Sequence, residues 1–525
     1  MGKYPFTFID MQKTSNFTIF LATVVSLGGF LFGFDAGIIS GVMNFVGPFL
    51  DLTDGQEGAI VAAPTLAAMF AMLVAGKLSD VVGRRILLII VAFLYALSAI
   101  WSAYAGGYEA LYAARLIGGI AFGAALVIAP TFIAEISSAE RRGSLVSIQQ
   151  LNIVLGFFAA FLCNAYLNGL NNESAYGLTD DTVWRWMLGL EFFPAILYFI
   201  LLFFVPRSPR WLFLKGKTAE AEQVLVRLHG ETAARREADE IIASMAKDAA
   251  SEQKTSIWDL FAPKLRFILW VGIAIGILQQ VTGINAIYFY ATSIFKQTGI
   301  GTDAAFTSGV WLSLTSVIFT VVAIFLIDRI GRRKLLLAGI GGIAITMLLC
   351  AYSFKQATYT LSTTDIAELT ELDGAALAPL AGQTFDNDIT FKNAMKTAVG
   401  EQAYKKYEGD ILERATTMNA IMVMIGILGF VACFAFSLGP VMWVMLSEMF
   451  PNAYRGLAIG FIGFINGFAS WGVSRFFPWE LSNLGSSLTF LIYGVIAALG
   501  FLLFLRVLPE TKGKTLEEIE REYVK

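Results

Sequence analysis

The stretch that decides the fold reads Gly76-Lys77-Leu78-Ser79-Asp80-Val81-Val82-Gly83-Arg84-Arg85. A shorter copy, Asp328-Arg329-Ile330-Gly331-Arg332-Arg333, follows much later in the chain. In both copies a glycine stands at the third position after the aspartate, and two arginines come directly after the glycine. Each copy follows a long apolar segment, so the chain repeats a unit of apolar segments that ends in a charged loop.

A second motif recurs in the same order. Glu135 is followed by Arg142-Gly143, and Glu448 is followed by Arg455-Gly456 with the same spacing. Two different motifs that recur in one order, each after the corresponding apolar segment, indicate an internal repeat. The sequence therefore predicts two related halves with six apolar segments each.

Twelve segments of the chain are apolar and long. A helix needs about 20 apolar residues to cross the hydrocarbon core of a bilayer. Segments of this kind lie at 18–42, 57–79, 86–105, 111–134, 146–167, 185–205, 266–292, 306–327, 335–354, 418–446, 456–478 and 486–507. We predict an all-α membrane protein with twelve transmembrane helices, called spans one to twelve below. The first segment is long enough to span and precedes no cleavage-like motif, so we interpret it as a retained helix.

The composition supports a membrane protein and excludes several other classes. Of the 525 residues, 56% are hydrophobic and 15% are charged, whereas about a quarter of an average globular chain is charged. A net charge of −3, without a basic and aromatic cluster, gives no basis for nucleic-acid binding. Cys163, Cys350 and Cys433 lie in apolar segments and His229 in a charged one, so we expect no metal site, disulfide or cofactor. No paired carboxylates, nucleophile–base set or phosphate-binding loop indicates an enzyme, so no catalytic residue is expected.

Positive charge is distributed unevenly between the loops. Lysines and arginines follow spans two, four and eight, whereas loops 43–56 and 168–183 contain acidic residues and no Lys or Arg. The positive-inside rule therefore predicts that both termini are cytoplasmic. The expected units are a cytoplasmic N-terminus, the first half, a cytoplasmic helical linker, the second half and a cytoplasmic C-terminus, at 1–17, 18–205, 206–265, 266–507 and 508–525.

The second half contains an extracytoplasmic insert at 355–417. It holds ten acidic and six basic residues. A loop of this length usually has a role or is disordered, and the sequence assigns it no role.

The charged loops bring carboxylates and guanidinium groups to the cytoplasmic mouth, where they can form bidentate pairs. Pairing between the halves would make a latch that is closed in one state and broken in the other. The expected gate residues are Asp80, Arg84, Glu135, Arg142, Asp328, Arg332, Glu448 and Arg455. Because an exposed pair contributes only about 0–1 kcal/mol, several pairs would be needed. The alternative is that the arginines only fix the topology.

Together with the loops, further motifs resemble the sugar porter family of the major facilitator superfamily over nearly the whole chain. They are Gly28-Gly29-Phe30-Leu31-Phe32-Gly33-Phe34-Asp35, Pro206-Arg207-Ser208-Pro209-Arg210-Trp211-Leu212, Gln279-Gln280-Val281-Thr282-Gly283-Ile284-Asn285, Gly439-Pro440-Val441-Met442-Trp443 and Pro509-Glu510-Thr511-Lys512-Gly513. The loops alone indicate the superfamily, whereas the Gln-Gln motif and the two motifs that begin with proline are more specific to sugar porters. The resemblance implies the major facilitator fold, alternating access, and a sugar held near the midplane mostly by the second half.

The resemblance also implies which residues contact the sugar. Positions that match the family's sugar site are Gln150, Gln279, Gln280, Asn285 and Trp443, with Phe32 and Tyr290 lining the cavity and Ser316 and Asn466 beside them. The chemistry agrees, because amides donate to and accept from sugar hydroxyls and an indole packs on the apolar face of a pyranose. The alternative is that the amides only join neighbouring helices. For Phe32 and Tyr290, ordinary core packing is the alternative.

The sequence departs from the family pattern at several places. Ser316 stands where many glucose and xylose carriers have Asn, and Phe157 stands where the bacterial xylose symporters have Gln. Gly467 replaces a Trp that is common in span eleven, and Arg207 replaces the usual Glu after span six. The class of substrate survives these changes, but the identity of the sugar does not follow from the sequence.

Asp35, Arg115 and Glu191 are ionisable residues within spans. Charge at membrane depth is costly and is a functional candidate by default. Asp35 matches the acid of proton-coupled sugar porters, Arg115 matches an arginine that can pair with it, and Glu191 matches an acid of the bacterial xylose symporters. Protonation of Asp35 would remove its attraction to Arg115 and let the first half move. The alternative is a permanent Asp–Arg pair that only orients helices.

These observations predict a proton-coupled monosaccharide symporter, for a hexose or a pentose, in a cell membrane. The expected partners are the sugar, protons and the lipid bilayer, with a functional monomer and no nucleic acid. A passive sugar uniporter is the first alternative. A non-transporting sugar sensor is the second, but the chain ends soon after the Pro509–Gly513 motif and so lacks the long tail that is typical of sensors.

Overall fold

The structure is a computed structural model that describes residues 8–138, 142–250, 256–512 and Glu518. Within this part of the chain, twelve helices or broken helices are long and apolar enough to cross a membrane. This confirms the predicted all-α fold with twelve spans. Large apolar side chains such as Phe93, Leu499 and Leu502 are exposed on the outside of the bundle, as expected for surfaces that face lipid.

The first half consists of five continuous helices and a sixth broken one. They are α1 Phe8–Phe49, α2 Asp54–Val82, α3 Arg84–Ala103, α4 Tyr108–Ile136, α5 Arg142–Asn172, α6 Asp180–Gly189 and α7 Phe192–Leu202, with a 3-10 turn at Ala175–Gly177. The linker contains α8 Pro209–Leu214, α9 Thr218–His229, α10 Glu231–Ala250 and a 3-10 turn at Ile257–Phe261. Several helices extend beyond the predicted apolar segments because their polar ends continue the helix out of the apolar layer.

Two spans of the second half are broken, although the sequence predicted them as continuous. Span seven consists of α11 Arg266–Val281, α12 Ile284–Phe289 and α13 Ala291–Lys296; α14 Thr302–Ile330 and α15 Arg332–Lys355 follow. After the insert, span ten consists of α20 Ala420–Phe436 and α21 Leu438–Met449, and α22 Asn452–Asn483 and α23 Gly485–Val507 complete the half. Span seven breaks at Gly283, whose φ of 94° is left-handed, and span ten breaks at Ser437, just before Pro440.

The repeated loop motif has the same backbone in both halves. Gly83 lies between α2 and α3 with φ 103°, and Gly331 lies between α14 and α15 with φ 99°. An L side chain rarely adopts this conformation, so the glycine of the motif allows one helix to stop and the next to start within a single residue. We call the end of the bundle that carries these two loops the motif face.

The linker helices pack on the first half. Trp211, Leu212 and Leu225 are buried in the same apolar cluster as residues of α1, α3 and α4. The indole Nε1 of Trp211 donates a hydrogen bond to the main-chain oxygen of Asp80 at 3.1 Å. The linker therefore belongs to the motif face of the first half.

The insert at 355–417 is a folded unit. It contains β1 Thr358–Thr360, α16 Thr363–Glu368, α17 Gly374–Leu377, β2 Thr384–Phe385, α18 Asp388–Val399, α19 Glu401–Ala415 and β3 Thr416–Thr417. The strands form one antiparallel sheet in the order β2-β1-β3, and Tyr359 stacks on Phe391 in an apolar core separate from those of the spans. We call the end of the bundle that carries the insert the insert face.

Candidate functional site

The break in span seven brings four amide side chains into one hydrogen-bonded chain. Gln280 Nε2 donates to Gln279 Oε1 and to Asn466 Oδ1, both at 3.2 Å. Asn285, on the other side of the break, donates to Gln280 Oε1 at 2.9 Å and to Ser470 Oγ. Gln279, Gln280, Asn466 and Ser470 are all buried. We call the side chains of Gln279, Gln280, Asn285, Asn466 and Ser470 the amide chain.

The amide chain also touches the break in span ten. Gln279 Nε2 donates to the main-chain oxygen of Leu438, the first residue of α21, at 2.9 Å. Broken helices inside a membrane bundle expose backbone polar groups where a polar substrate can reach them. Two breaks and a row of amides that both donate and accept therefore suit a ligand that carries several hydroxyl groups.

The other predicted sugar residues differ in their surroundings. Trp443 is 42% exposed although it lies within span ten, and Gln150 on α5 is half-buried. Ser316 is buried and hydrogen-bonds with Tyr288. Trp443 and Gln150 are thus accessible to a ligand, whereas Ser316 is engaged with a neighbouring side chain.

Phe32 and Tyr290 are packed side chains in this structure. Phe32 stacks on Phe122, with ring centroids 4.5 Å apart, and contacts Phe157 edge-on at 6.3 Å. Tyr290 is buried, and its hydroxyl donates to the main-chain oxygen of Ser474 at 3.1 Å. Core packing, the alternative considered for both residues, describes this state of the protein.

Sequence reasoning missed Ser470. Asn466, Ser470 and Ser474 recur at intervals of four along α22, which places them on one face of that helix. Asn466 and Ser470 bond to the amides of span seven, and the Ser474 hydroxyl donates to the main-chain oxygen of Ser470 at 2.9 Å. The spacing of these small polar residues was the signal that could have identified the face of α22 that meets span seven.

The three ionisable residues predicted within spans come together in the first half. The Arg115 guanidinium on α4 forms an ion pair with the Asp35 carboxylate on α1. Glu191, between α6 and α7, lies within hydrogen-bonding reach of Asp35. All three side chains are at most 3% exposed. We call them the acid–arginine cluster.

At the motif face, the two halves repeat one arrangement. Arg84 forms ion pairs with Asp80 at 2.6 Å and with Glu135 at 3.0 Å, and Ser208, after span six, hydrogen-bonds to Glu135. In the second half, Arg332 pairs with Glu448 at 3.0 Å, and Thr511, after span twelve, donates to Glu448 at 2.6 Å. The internal repeat therefore extends to the hydrogen bonds.

The ion pairs that the gate residues form at the motif face join residues of the same half. Arg455 Nε bonds to the main-chain oxygen of Phe450 at 3.3 Å, and the side chains of Arg142 and Asp328 lie outside the described residues. Among the described side chains, no ion pair links the two halves at the motif face. The predicted latch between halves is therefore not formed by the described residues in this state.

The two halves are in contact at the insert face. Ser40 on α1 hydrogen-bonds to Thr292 on α13 at 2.8 Å, and Asn44 donates to Thr292 at 3.0 Å. Asn168 and Asn172 on α5 both reach the Asp303 carboxylate on α14, at 2.7 and 2.6 Å. The structure is therefore closed at this end of the bundle.

Comparisons with known proteins agree with this architecture. The sequence model of the sugar (and other) transporter family matches residues 21–369 and 402–523. The arabinose-proton symporter of Bacillus subtilis is 35% identical over 517 residues, which cover 98% of this chain and 97% of that protein. The glucose transporter GlcP of Staphylococcus epidermidis is 31% identical over 512 residues, which cover 97% of this chain and 98% of that protein.

Among solved structures, the inward open conformation of the xylose transporter XylE from E. coli superimposes with a TM-score of 0.73 at 28% identity. The superposition covers 96% of this chain and 100% of the XylE chain. The family model and the relatives cover the two halves, their repeated loops and the broken spans described above. The chain therefore belongs to the sugar transporter family of the major facilitator superfamily, whose members are membrane carriers and not enzymes.

Proposed function

We propose that this protein is a proton-coupled symporter for a monosaccharide, a hexose or a pentose, that works by alternating access as a monomer. Its membrane is a cell membrane, with the motif face and both termini in the cytoplasm. The observation that carries the proposal is the placement of two sites. An amide chain lies at the broken spans of the second half, and an acid–arginine cluster is buried in the first half.

The amide chain supports a sugar as the cargo. In this state Gln279, Gln280, Asn285 and Asn466 satisfy one another, and sugar hydroxyls can take over these bonds without leaving an amide unpaired. Trp443, which is exposed within its span, offers the indole face that packs on a sugar ring. The relatives, which include an arabinose-proton symporter, a glucose transporter and a D-xylose transporter, support the same class of substrate.

The acid–arginine cluster supports proton coupling. When both Asp35 and Glu191 are ionised, two negative charges face one Arg115 in a site that excludes water, which is costly. A proton taken up by one carboxyl group relieves this repulsion, and loss of that proton strengthens the attraction to Arg115. Because α1, α4 and the α6–α7 break meet at the cluster, protonation changes how these helices hold together.

The mechanism proposed for the motif face is a change of partners. Arg84 and Arg332 pair within their own halves while the insert face is closed. When the motif face closes instead, we propose that the gate residues of the two halves form the latch, with Arg142, Asp328 and Arg455 contributing to it. Several weak pairs acting together would bias the two states.

The test is uptake of labelled glucose, xylose, galactose and fructose into liposomes, with and without an inward proton gradient. We expect gradient-driven accumulation in the wild type and its loss in Asp35→Asn, with sugar exchange retained. Glu480→Gln is the matched control, because it removes a carboxyl group from α22 in the second half. That carboxyl group accepts a hydrogen bond from the Tyr493 hydroxyl at 2.7 Å. Accumulation in Glu480→Gln should remain.

Two outcomes would contradict the proposal. Equal uptake with and without the gradient would make the protein a passive uniporter and Asp35 a structural partner of Arg115. Failure to move any of the four sugars, with intact folding, would remove the monosaccharide assignment and direct attention to Ser316, Phe157 and Gly467.

A further inference from the structure

The insert is fixed to the second half by its own side chains as well as by the chain. Asp388 at the start of α18 accepts a hydrogen bond from the main-chain nitrogen of Ser486, in the first turn of α23, at 2.8 Å. Glu408 on α19 accepts from Gln297 Nε2, just after α13, at 3.1 Å. The insert is therefore held at two separate spans of the second half and is expected to move with that half.

The anchor at Glu408 is charged, and its side chain is 26% exposed. The carboxylate also accepts from the Tyr404 hydroxyl at 3.3 Å and lies 3.9 Å from Lys392 Nζ. Burial by itself would raise the pKa of Glu408, but the charges of Lys392 and Lys296 and the two hydrogen bonds lower its pKa below the usual value. The carboxylate therefore stays ionised and keeps its bonds near neutral pH.

From this base, α19 reaches across to the first half. Lys405 Nζ donates to the main-chain oxygen of Leu52, between α1 and α2, at 2.6 Å, and it lies 3.9 Å from the Asp54 carboxylate. Gln402 Nε2 donates to Asp51 Oδ2 at 2.8 Å. These contacts join the two halves at the insert face, beyond the ends of the spans.

We propose that α19 is an outer clamp, in which Gln402 and Lys405 hold the 51–54 loop and stabilise the state that is closed to the outside. The proposal rests on alternating access with the insert face outside. Because the insert moves with the second half and the loop belongs to the first, the halves cannot separate at this end unless both contacts break. The clamp therefore adds to the contacts that Ser40 and Asn44 make between the spans.

The surface that α19 contacts belongs to this chain and not to a partner protein, and the polar surface of the insert is consistent with that. Among the described residues, none of the large exposed apolar side chains lies on α16, α17, α18 or α19. An apolar patch on these helices would have indicated a partner protein. The polar contacts of α19 with the first half are the interaction that these helices show.

The test measures how often the insert face opens. Cys163, Cys350 and Cys433 are replaced by Ala, and Ser40→Cys is introduced as a reporter. Ser40 is fully buried and bonded across the halves, so a membrane-impermeant maleimide added outside can reach Cys at this position only when the halves separate. We compare the reporter alone with the reporter that also carries Lys405→Ala and Gln402→Ala.

We expect the clamp variant to react about tenfold faster, which corresponds to about 1.4 kcal/mol for the lost bonds. The matched control is Lys406→Ala, which removes the same charge one residue along α19. Lys406 is exposed, and its Nζ lies over the ring of Tyr407 within the insert. The control should react at the rate of the reporter alone. Equal rates for all three proteins would overturn the proposal.

A second measurement keeps the proposal falsifiable if the clamp variant folds poorly. Asp51→Cys and Gln402→Cys are joined with a short, reducible bis-methanethiosulfonate cross-linker. The same protein carries the Ser40→Cys reporter, and labelling at position 40 is read on its own peptide by mass spectrometry. Cross-linked protein should lose reaction at this position and regain it after reduction. Undiminished reaction after cross-linking would show that the halves separate without release of α19. Neither assay needs a sugar, so their failure is distinct from failure of the proposed function.

Discussion

Gly58 tests whether closure of the insert face depends on backbone contact between the halves. Gly58 lies on α2, and a Cβ built on it would be 2.1 Å from the main-chain oxygen of Arg475 on α22. An ordinary contact for a Cβ is 3.4–4 Å, so Gly58→Ala requires the two helices to separate by 3.4 − 2.1 = 1.3 Å at this point. The obstructing atom belongs to the backbone, which cannot rotate away as a side chain can.

The expected effect of Gly58→Ala on opening depends on which state contains the clash. Overpacking of this kind costs about 1–3 kcal/mol, and the cost applies only while α2 and α22 touch at the insert face. The ratio of open to closed molecules should therefore rise by about 5- to 150-fold. The rate of reaction of the Ser40→Cys reporter with the impermeant maleimide should rise by the same factor.

Gly472→Ala is the matched control, because a Cβ on Gly472 would meet no atom within 4 Å and the residue lies on α22, close to Arg475. Both changes replace a helical glycine by alanine and so carry the same gain in helix propensity. If Gly58→Ala and Gly472→Ala react at the same rate, the reasoning is refuted. A lower melting temperature of Gly58→Ala without faster reaction would refute it as well, since the contact would then be equally present in both states.

Two further predictions concern the amide chain and the insert. Ser470→Ala should weaken sugar binding about fivefold by freeing Asn285, as expected for one hydrogen bond of about 1 kcal/mol. The Ser474 hydroxyl bonds within α22, so Ser474→Ala should bind sugar as the wild type does. Equal sugar affinities of Ser470→Ala and the wild type, measured by titration calorimetry, would contradict this role of Ser470. The folded-state pKa of Glu408 is below its usual value of 4.5, so its contribution is complete above that pH and is lost as the pH falls through the folded-state pKa. The protection of α18 and α19 against hydrogen exchange, corrected for the intrinsic rate at each pH, should therefore fall below about pH 4.5 in the wild type. In Glu408→Gln this protection should already be lower at neutral pH and should respond little to acid.

The twelve spans and the repeat could be predicted because they depend on local properties. Length and apolar composition identify a spanning segment without knowledge of its neighbours. The glycine of the loop motif was visible for the same reason, since Gly83 and Gly331 are required by their own backbone angles. The grouping of Asp35, Arg115 and Glu191 could be anticipated because an isolated charge within a span needs a partner.

The features that could not be predicted from the sequence depend mainly on which helices pack against each other. Ser470 is an ordinary small residue of an apolar helix until Asn285 is placed beside it. The closeness of Gly58 to Arg475 follows from the crossing of two helices that belong to different halves. The breaks at Gly283 and Ser437 were hidden because hydropathy is unaffected by a change in backbone angle. Of these features, only Ser470 leaves a signal along the chain, its four-residue spacing from Asn466 and Ser474, and that spacing marks a helix face without indicating which helix meets it.

The sheet of the insert has a consequence for how the gene encoding this protein can change. β1 and β3, the first and last strands of the insert, are neighbours, and Thr358 pairs with Thr417. The chain therefore leaves span nine and returns to span ten at almost the same place, which is the geometry that tolerates insertion and excision of a whole segment. The family model accordingly has its gap, residues 370–401, inside this segment. The insert can thus be grafted, exchanged or removed as a cassette, and the twelve spans would keep their register.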